Sequence, residues 1–229
     1  MEKSYFPVFL DIKNKLCVVI GGGKVAERKV FSLIEAGAKV KVIAPQVLES
    51  IEELAKKGKV ILEKREYKKG DLEGARLVIA ATNNEEVQKE VYEEAEERGI
   101  FCNVVDVPEL CSFIVPSIVR RGPLCIAIST SGKAPAVAKR LRQILEDLFG
   151  EEYAVYLELM GRIREFVLKM DIPQEEKHLK LNRLALAPIL DCIKYGDTKL
   201  LKEMLKSEGL SEVLTLFELP SPNTSAKET

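Results

Sequence analysis

One junction constrains this chain more than any other. Lys15-Leu16-Cys17-Val18-Val19-Ile20 is a continuous apolar run, and Gly21-Gly22-Gly23 follows it at once. A helical pattern then opens, with Val25, Ala26, Lys29, Val30, Leu33 and Ile34 on its period. An apolar run bounded by Asn14 and Gly21 predicts a strand buried on both faces. Written as G-x-G-x-x-A, the junction uses Gly21, Gly23 and Ala26. The first glycine allows the tight turn from strand to helix. The second lets backbone approach a pyrophosphate, and the alanine still permits close packing of helix on strand. The helix start offers unpaired N–H groups and a positive dipole end to phosphate. The motif lies inside a strand–helix–strand unit, the context that gives it weight.

The alternation continues through residue 105. Strands are predicted over 39–44, 60–63, 77–81 and 101–105, with helices over 47–57 and 84–98. Gly37, Gly58 and Gly99 stand where helix-ending glycines belong. Such alternation implies an α/β fold with a Rossmann-type parallel sheet. The pattern then breaks. Ser117–Arg121 and Leu124–Ser129 read as an antiparallel hairpin through Gly122-Pro123, and Pro135–Phe149 as a helix with proline in its first turn. Beyond Glu151 the chain reads as all-helical: 153–170, 174–195, 198–207 and 211–217, with Pro188 set to end or kink the second of these. The polar tail after Pro220 is expected to fray. The plan is a nucleotide-binding α/β unit, a small hairpin-plus-helix unit and a C-terminal helical unit.

Several polar groups fall where such a fold gathers its ligands. Ala80-Ala81-Thr82-Asn83 ends the fourth strand, where small residues leave room in the crevice and Thr82 offers a polar contact. A cap on the next helix by Asn83 or Asn84 is the plainer reading of the asparagines. Asp106 leaves the fifth strand before Pro108, placed either to move a proton in a redox step or simply to form a turn. Ser129-Thr130-Ser131-Gly132-Lys133 joins a strand to a helix and suits a carboxylate, although a capped helix explains it as well. Arg120 and Arg121 have the same double reading, anion contact or solvated turn. One expected element is missing: the second strand ends in Ala44-Pro45-Gln46, without the acid that usually holds a ribose. No arginine stands there for a 2′-phosphate, so NAD is favoured over NADP.

Composition excludes whole classes. Thirty-five Lys+Arg balance 36 Asp+Glu over 229 residues, so no basic field points to nucleic acid. No apolar run approaches the length of a transmembrane helix, and the first residues lack the apolar core of a secretory signal. Five cysteines with no C-x-x-C pair read as reduced, cytoplasmic thiols. A single histidine, His178, rules out a His-rich metal cluster, and no metal site is expected.

Taken together, several stretches resemble the precorrin-2 dehydrogenases, the N-terminal part of siroheme synthases. They are residues 7–10, 18–29, 35–38, 44–45, 79–82, 101–108, 112–117 and 128–135, in the family's order and spacing over about 5–145. The resemblance implies NAD-dependent oxidation of precorrin-2 to sirohydrochlorin on the route to siroheme. It also implies a cytoplasmic homodimer built through the middle unit. In those terms residues 1–112 are the NAD-binding domain, 113–149 a dimerisation unit, 150–219 a helical domain and 220–229 a flexible tail. Family cofactor contacts carry over to Lys24 and Val25 after the glycine loop, and to Pro45 and Gln46 after the second strand; they join Gly21, Gly22, Gly23 and Thr82, read from the motif itself, as the cofactor-binding set. The family's missing ribose acid matches the gap after the second strand. Its catalytic aspartate falls on Asp106 and its hydroxyl position on Thr130, next to Ser129. Arg28, Arg120, Arg121, Lys133 and Arg140 are candidates for the substrate's eight carboxylates.

Two alternatives stay open. Some relatives also insert iron, giving a bifunctional dehydrogenase and sirohydrochlorin ferrochelatase. A non-catalytic NAD(H)-binding redox sensor is the reading from another class; it would need neither Asp106 nor the Thr130 loop.

Overall fold

The computed structural model describes residues 5–215, and the chain divides into two compact units at Val115/Pro116. The first unit is a parallel sheet of five strands: β1 (Leu16–Ile20), β2 (Lys39–Ile43), β3 (Val60–Glu63), β4 (Leu77–Ala80) and β5 (Phe101–Val104). Their order is β3-β2-β1-β4-β5, so the chain crosses from one side of β1 to the other in passing from β3 to β4. In β1, Cys17–Ile20 are buried, as is all of β4, which is why both read as unbroken apolar runs. β2 alternates instead. Its Lys41 emerges on one face and pairs with Glu63 of β3 at 2.9 Å.

Helices α1 (Lys24–Glu35) and α2 (Glu49–Lys56) lie on one face and α3 (Glu85–Arg98) on the other. α1 buries Ala26, Val30 and Leu33 against Cys17, Val19, Val40, Val42 and Ile79. Full burial of one such aliphatic side chain is worth about 1.5–3 kcal/mol. Gly37 (φ 77°) follows α1 and Gly99 (φ 65°) ends α3, both in the left-handed conformation that a side chain resists. Asn84 caps α3 by accepting from the Glu86 and Val87 N–H groups.

The β3–β4 connection carries no helix. Tyr67 and Leu72 fill the core there in its place. The loop is pinned by Arg65, which binds Asp71 through both terminal nitrogens at 2.7 and 2.6 Å. Fully buried Glu94 of α3 accepts from the Tyr67 hydroxyl and from Gly70 N–H at 2.9 Å, and pairs with Arg98 Nε at 2.8 Å.

In the second unit, β6 (Ser117–Arg121) and β7 (Leu124–Ile128) form an antiparallel hairpin, followed by α4 (Pro135–Leu148). A Cβ on Gly122 would stand 2.9 Å from Ala154 Cβ, which explains a glycine at that turn. Helices α5 (Glu152–Lys169), α6 (Gln174–Leu186), α7 (Ile189–Tyr195), α8 (Thr198–Ser207) and α9 (Ser211–Thr215) complete it. Their core is Leu159, Ile163, Val167, Leu184, Ile189, Leu201 and Leu205 with their neighbours. The predicted helix over 174–195 is broken by Pro188, the N-cap of α7, so that α6 ends at Leu186. The rest of the last predicted helix, to 217, and the tail from 220 lie outside the described residues.

Candidate functional site

Three of the loops singled out in the sequence meet at the carboxyl ends of β1, β2 and β4. The Gly21 N–H donates to Ile43 O at 2.9 Å, and Leu48 N–H to Gly22 O at 3.0 Å. A Cβ on Gly21 would fall 2.2 Å from Ala81 O, and one on Gly22 would fall 2.1 Å from Gln46 O. These two glycines are therefore needed by the protein's own packing. Gly23 differs: a Cβ there would meet nothing within 4 Å, in an ordinary extended conformation (φ −84°, ψ −174°). Space at that glycine faces outward, where a ligand would come.

Among the described residues, the N–H groups of Gly22, Gly23, Lys24, Val25 and Ala26 donate to no protein acceptor. The first intramolecular bond of this stretch is Glu27 N–H to Gly23 O at 2.9 Å. Five unpaired donors and the positive end of α1 fit a pyrophosphate. The position between β1 and β4, where the strand order reverses, is where open α/β sheets bind ligands. Pro45 and Gln46 are exposed at the end of β2, and the Gln46 side chain makes no bond among the described residues.

Thr82 is half-buried, accepting from Asn84 N–H on its hydroxyl at 3.3 Å. Its carbonyl accepts from the side-chain amide of Gln88 at 2.6 Å. Gln88, 8% exposed, is a residue that sequence reasoning missed. The only available signal was a polar side chain on the inward period of an otherwise charged helix.

Asp106 follows β5 in a turn closed by Val107 N–H on Val104 O at 3.3 Å. It is exposed, with φ at 64°, the left-handed region that costs a residue with a Cβ. The turn is fastened from behind. Asn103 Nδ2 donates to Phe113 O at 3.0 Å, and the Cys111 thiol to Val104 O and Val107 O at 3.1 and 3.3 Å. Ser112 Oγ accepts from Cys102 N–H at 2.8 Å. Buried Cys111 thus works as a clasp. Cys17 and Cys102 are buried in strands, and burial pushes their thiols up to about 11 and about 12, leaving them unreactive.

The remaining predicted residues belong to the second unit. Ser129 Oγ accepts from Ser131 N–H at 3.0 Å, and Thr130 Oγ1 from Ala134 N–H at 3.2 Å. Each hydroxyl proton stays available to a ligand. Arg120 and Arg140 are exposed, and so is Lys133. Arg121 is engaged: it donates to Arg120 O and Glu146 O and pairs with Glu151 at 3.2 Å. That makes it a fastener of the hairpin and removes it from the carboxylate candidates. Among the described residues, no group of three or more His, Cys, Asp or Glu is placed to hold a metal ion. No helix among them is long and apolar enough to cross a membrane.

Comparison with known proteins separates the two units in the same way. Residues 8–117 match the family described as "Putative NAD(P)-binding", and residues 121–148 the one described as "Sirohaem biosynthesis protein central". The siroheme synthase of Nitrosococcus oceani is 41% identical over 166 residues, covering 72% of this chain and 34% of that protein. That of Nitrosomonas europaea is 37% identical over 212 residues, 92% of this chain and 44% of that protein. The chain therefore spans between a third and a half of the length of these relatives. Among solved structures, "SirC, precorrin-2 dehydrogenase" matches with a TM-score of 0.71 and 27% identity, over 79% of this chain and 89% of that one.

Proposed function

We propose that this chain is a counterpart of the N-terminal part of siroheme synthases and an NAD-dependent dehydrogenase oxidising precorrin-2 to sirohydrochlorin, a reading supported by its similarity to those proteins. The observation that carries this reading is the pairing of an open dinucleotide turn at Gly23 with a carboxylate, Asp106, on the loop after β5 of the same sheet. Both stand on loops that leave carboxyl strand ends, the edge where such sheets do chemistry.

Gly22 to Ala26 offer their N–H groups to the pyrophosphate. Ala81 and Thr82 leave room beyond β4 for the reactive end of the cofactor. Ala44-Pro45-Gln46 puts neither an acid nor an arginine at the ribose, so Gln46 and backbone groups hold it, which favours NAD over NADP. When bound, the nicotinamide supplies the hydride acceptor. The oxidation also releases one proton for each hydride, and Asp106 accepts it and passes it to solvent from its exposed position. Thr130 and Ser129 donate hydroxyls to substrate carboxylates, and Arg120 and Lys133 supply charge.

The protein works as a cytoplasmic homodimer. Supporting this, α4 carries Val137, Leu141, Ile144 and Leu148 along one exposed stripe, 41–63% accessible. Aligned apolar positions at helical spacing are suited to bury a second copy. Leu141→Arg is expected to turn a dimer into a monomer in sedimentation; a chain already monomeric in the wild type counts against the assembly.

The test of the activity is anaerobic incubation with enzymatically made precorrin-2, followed by absorbance, with NAD, NADP or no cofactor and no metal. An NAD-dependent change to the sirohydrochlorin spectrum is expected. Asp106→Asn is expected to keep NAD binding and lose the oxidation. NAD binding without oxidation in the wild type would overturn this reading in favour of a redox sensor.

A further inference from the structure

The edge of the sheet opposite the candidate site carries a row of cations. In spatial order, Lys59, Lys39, Lys15 and Arg76 stand at the first or the preceding position of β3, β2, β1 and β4, and Arg98 precedes β5 by three residues. All five are exposed. Neighbouring strands lie about 4.8 Å apart, so side chains from adjacent strands can reach one compact ligand. At the starts of β1, β4 and β5 the row meets a cleft of about 430 Å³, lined by Lys15, Arg76 and Arg98 with the apolar Leu16, Ala75 and Ile100. Backbone bonds fix this corner. Arg76 N–H donates to Leu16 O at 2.7 Å and Phe101 N–H to Arg76 O at 3.4 Å, so Arg76 stands between the starts of β1 and β5. Gly74 completes the lining, and a Cβ there would meet nothing within 4 Å.

No carboxylate lines the cleft. The side chains of Lys15 and Arg76 make no hydrogen bond or ion pair among the described residues. Arg98 engages only its Nε, with Glu94 at 2.8 Å, and its terminal nitrogens bond to nothing among those residues. As the last residue of α3, Arg98 also answers the negative end of its helix. That end is further closed by the Gly99 and Ile100 N–H groups on Glu96 O and Ala95 O, at 3.2 and 2.8 Å. Lys15 and Arg76 belong to no helix, and no contact within the fold accounts for their charge. We propose that this cleft binds a small anion with two or more charged groups, a diphosphate or a di- or tricarboxylate. Arg76 and Arg98 each present a planar fork to one oxyanion group, and Lys15 adds a point charge. β1 is five residues long, so the cleft lies about 16 Å from the dinucleotide turn and is a separate site. The inference does not depend on the dehydrogenase reading.

The test is an NMR titration of the full 15N-labelled chain with pyrophosphate, citrate or sulfate, the ionic strength being held constant with sodium chloride. Two sets of amides report separately: Gly74, Ala75 and Arg76 at the cleft, and Gly22 to Ala26 at the dinucleotide turn, where pyrophosphate also fits. The cleft amides are expected to shift along a saturable curve with a Kd below about 1 mM for pyrophosphate or citrate. The tighter of the two identifies phosphate or carboxylate as the group recognised. Arg76→Gln and Lys15→Gln are each expected to weaken that binding about tenfold. Neither side chain has a partner in the fold, so the melting temperature and the response of Gly22 to Ala26 should stay as in the wild type. Absence of saturation at the cleft with both anions overturns the site, and so does a curve that neither substitution changes. Sulfate binding as tightly as the better of the two overturns the assignment of a ligand with several charged groups.

Discussion

The side-chain amide of Gln88, buried in the first turns of α3, donates to the carbonyl of Thr82 at 2.6 Å. It crosses from the helix back to the end of β4. The bond fixes the corner against which Gly21 packs, since a Cβ on Gly21 would meet Ala81 O and lie 3.4 Å from Thr82 N. Gln88→Ala leaves a buried carbonyl without its donor, at a cost of about 1–3 kcal/mol. A lower melting temperature and several-fold weaker NAD binding by calorimetry are expected together. Weaker stability with unchanged NAD affinity would detach this corner from the cofactor site.

The glycine turn predicts a separation of stability from binding. Gly22→Ala drives a methyl group into Gln46 O and Val47, so it is expected to unfold or strongly destabilise the first unit. Gly23→Ala meets nothing in the protein and adopts a conformation open to any residue. Its melting temperature is expected to stay within a few degrees of wild type while NAD affinity falls at least about tenfold, through a methyl group placed against the pyrophosphate. Equal damage to stability by both variants would show that Gly23 is filled by protein.

Much of this architecture can be read from residue order, because local rules and long-range packing agree. β1 and β4 are apolar throughout since helices or loops cover both faces, and the glycines that stop α1 and α3 stand in left-handed turns. Pro188 breaks the chain where proline must. Less was legible where one residue's role depends on a distant partner. Nothing adjacent to Gln88 announces Thr82, and nothing near Cys111 announces the carbonyls of Val104 and Val107. Arg120 and Arg121 look alike in sequence, yet the pleat sends one outward and turns the other towards Glu146 and Glu151. In the second unit, the helices are plain from period and punctuation, but their period carries no chemistry.

Glu94 predicts an acid-sensitive fold. Burial alone would raise its pKa, but the Tyr67 hydroxyl, the Gly70 N–H and Arg98 outweigh burial and hold it below the ordinary value. A carboxylate depressed in the folded state contributes stability above its unfolded value of 4.5, and this is lost as pH falls through the folded value. Urea melts of the wild type should therefore weaken steadily below about pH 4.5. Glu94→Gln is expected to be less stable at pH 7 by about 1.5–3 kcal/mol, with a flatter acid limb. An acid limb as steep as in the wild type would assign the effect to other carboxylates, among them Asp71, which the Arg65 pair holds low.

Asp106 predicts an exchange of stability against activity. It holds φ at 64° with a Cβ present, and the surrounding clasp of Asn103, Cys111 and Ser112 keeps it there. Glycine accepts that conformation freely, whereas alanine keeps the strain and lacks the short polar side chain that tolerates it. Asp106→Gly is therefore expected to be more stable than Asp106→Ala by about 1 kcal/mol, and close to wild type or above it. Both should lose precorrin-2 oxidation alike, since both lack the carboxylate. Melting curves of the three proteins, run beside the anaerobic assay, check the pair. If the glycine and alanine variants melt together, the turn is not strained. If either still oxidises precorrin-2 at the wild-type rate, the proton goes elsewhere.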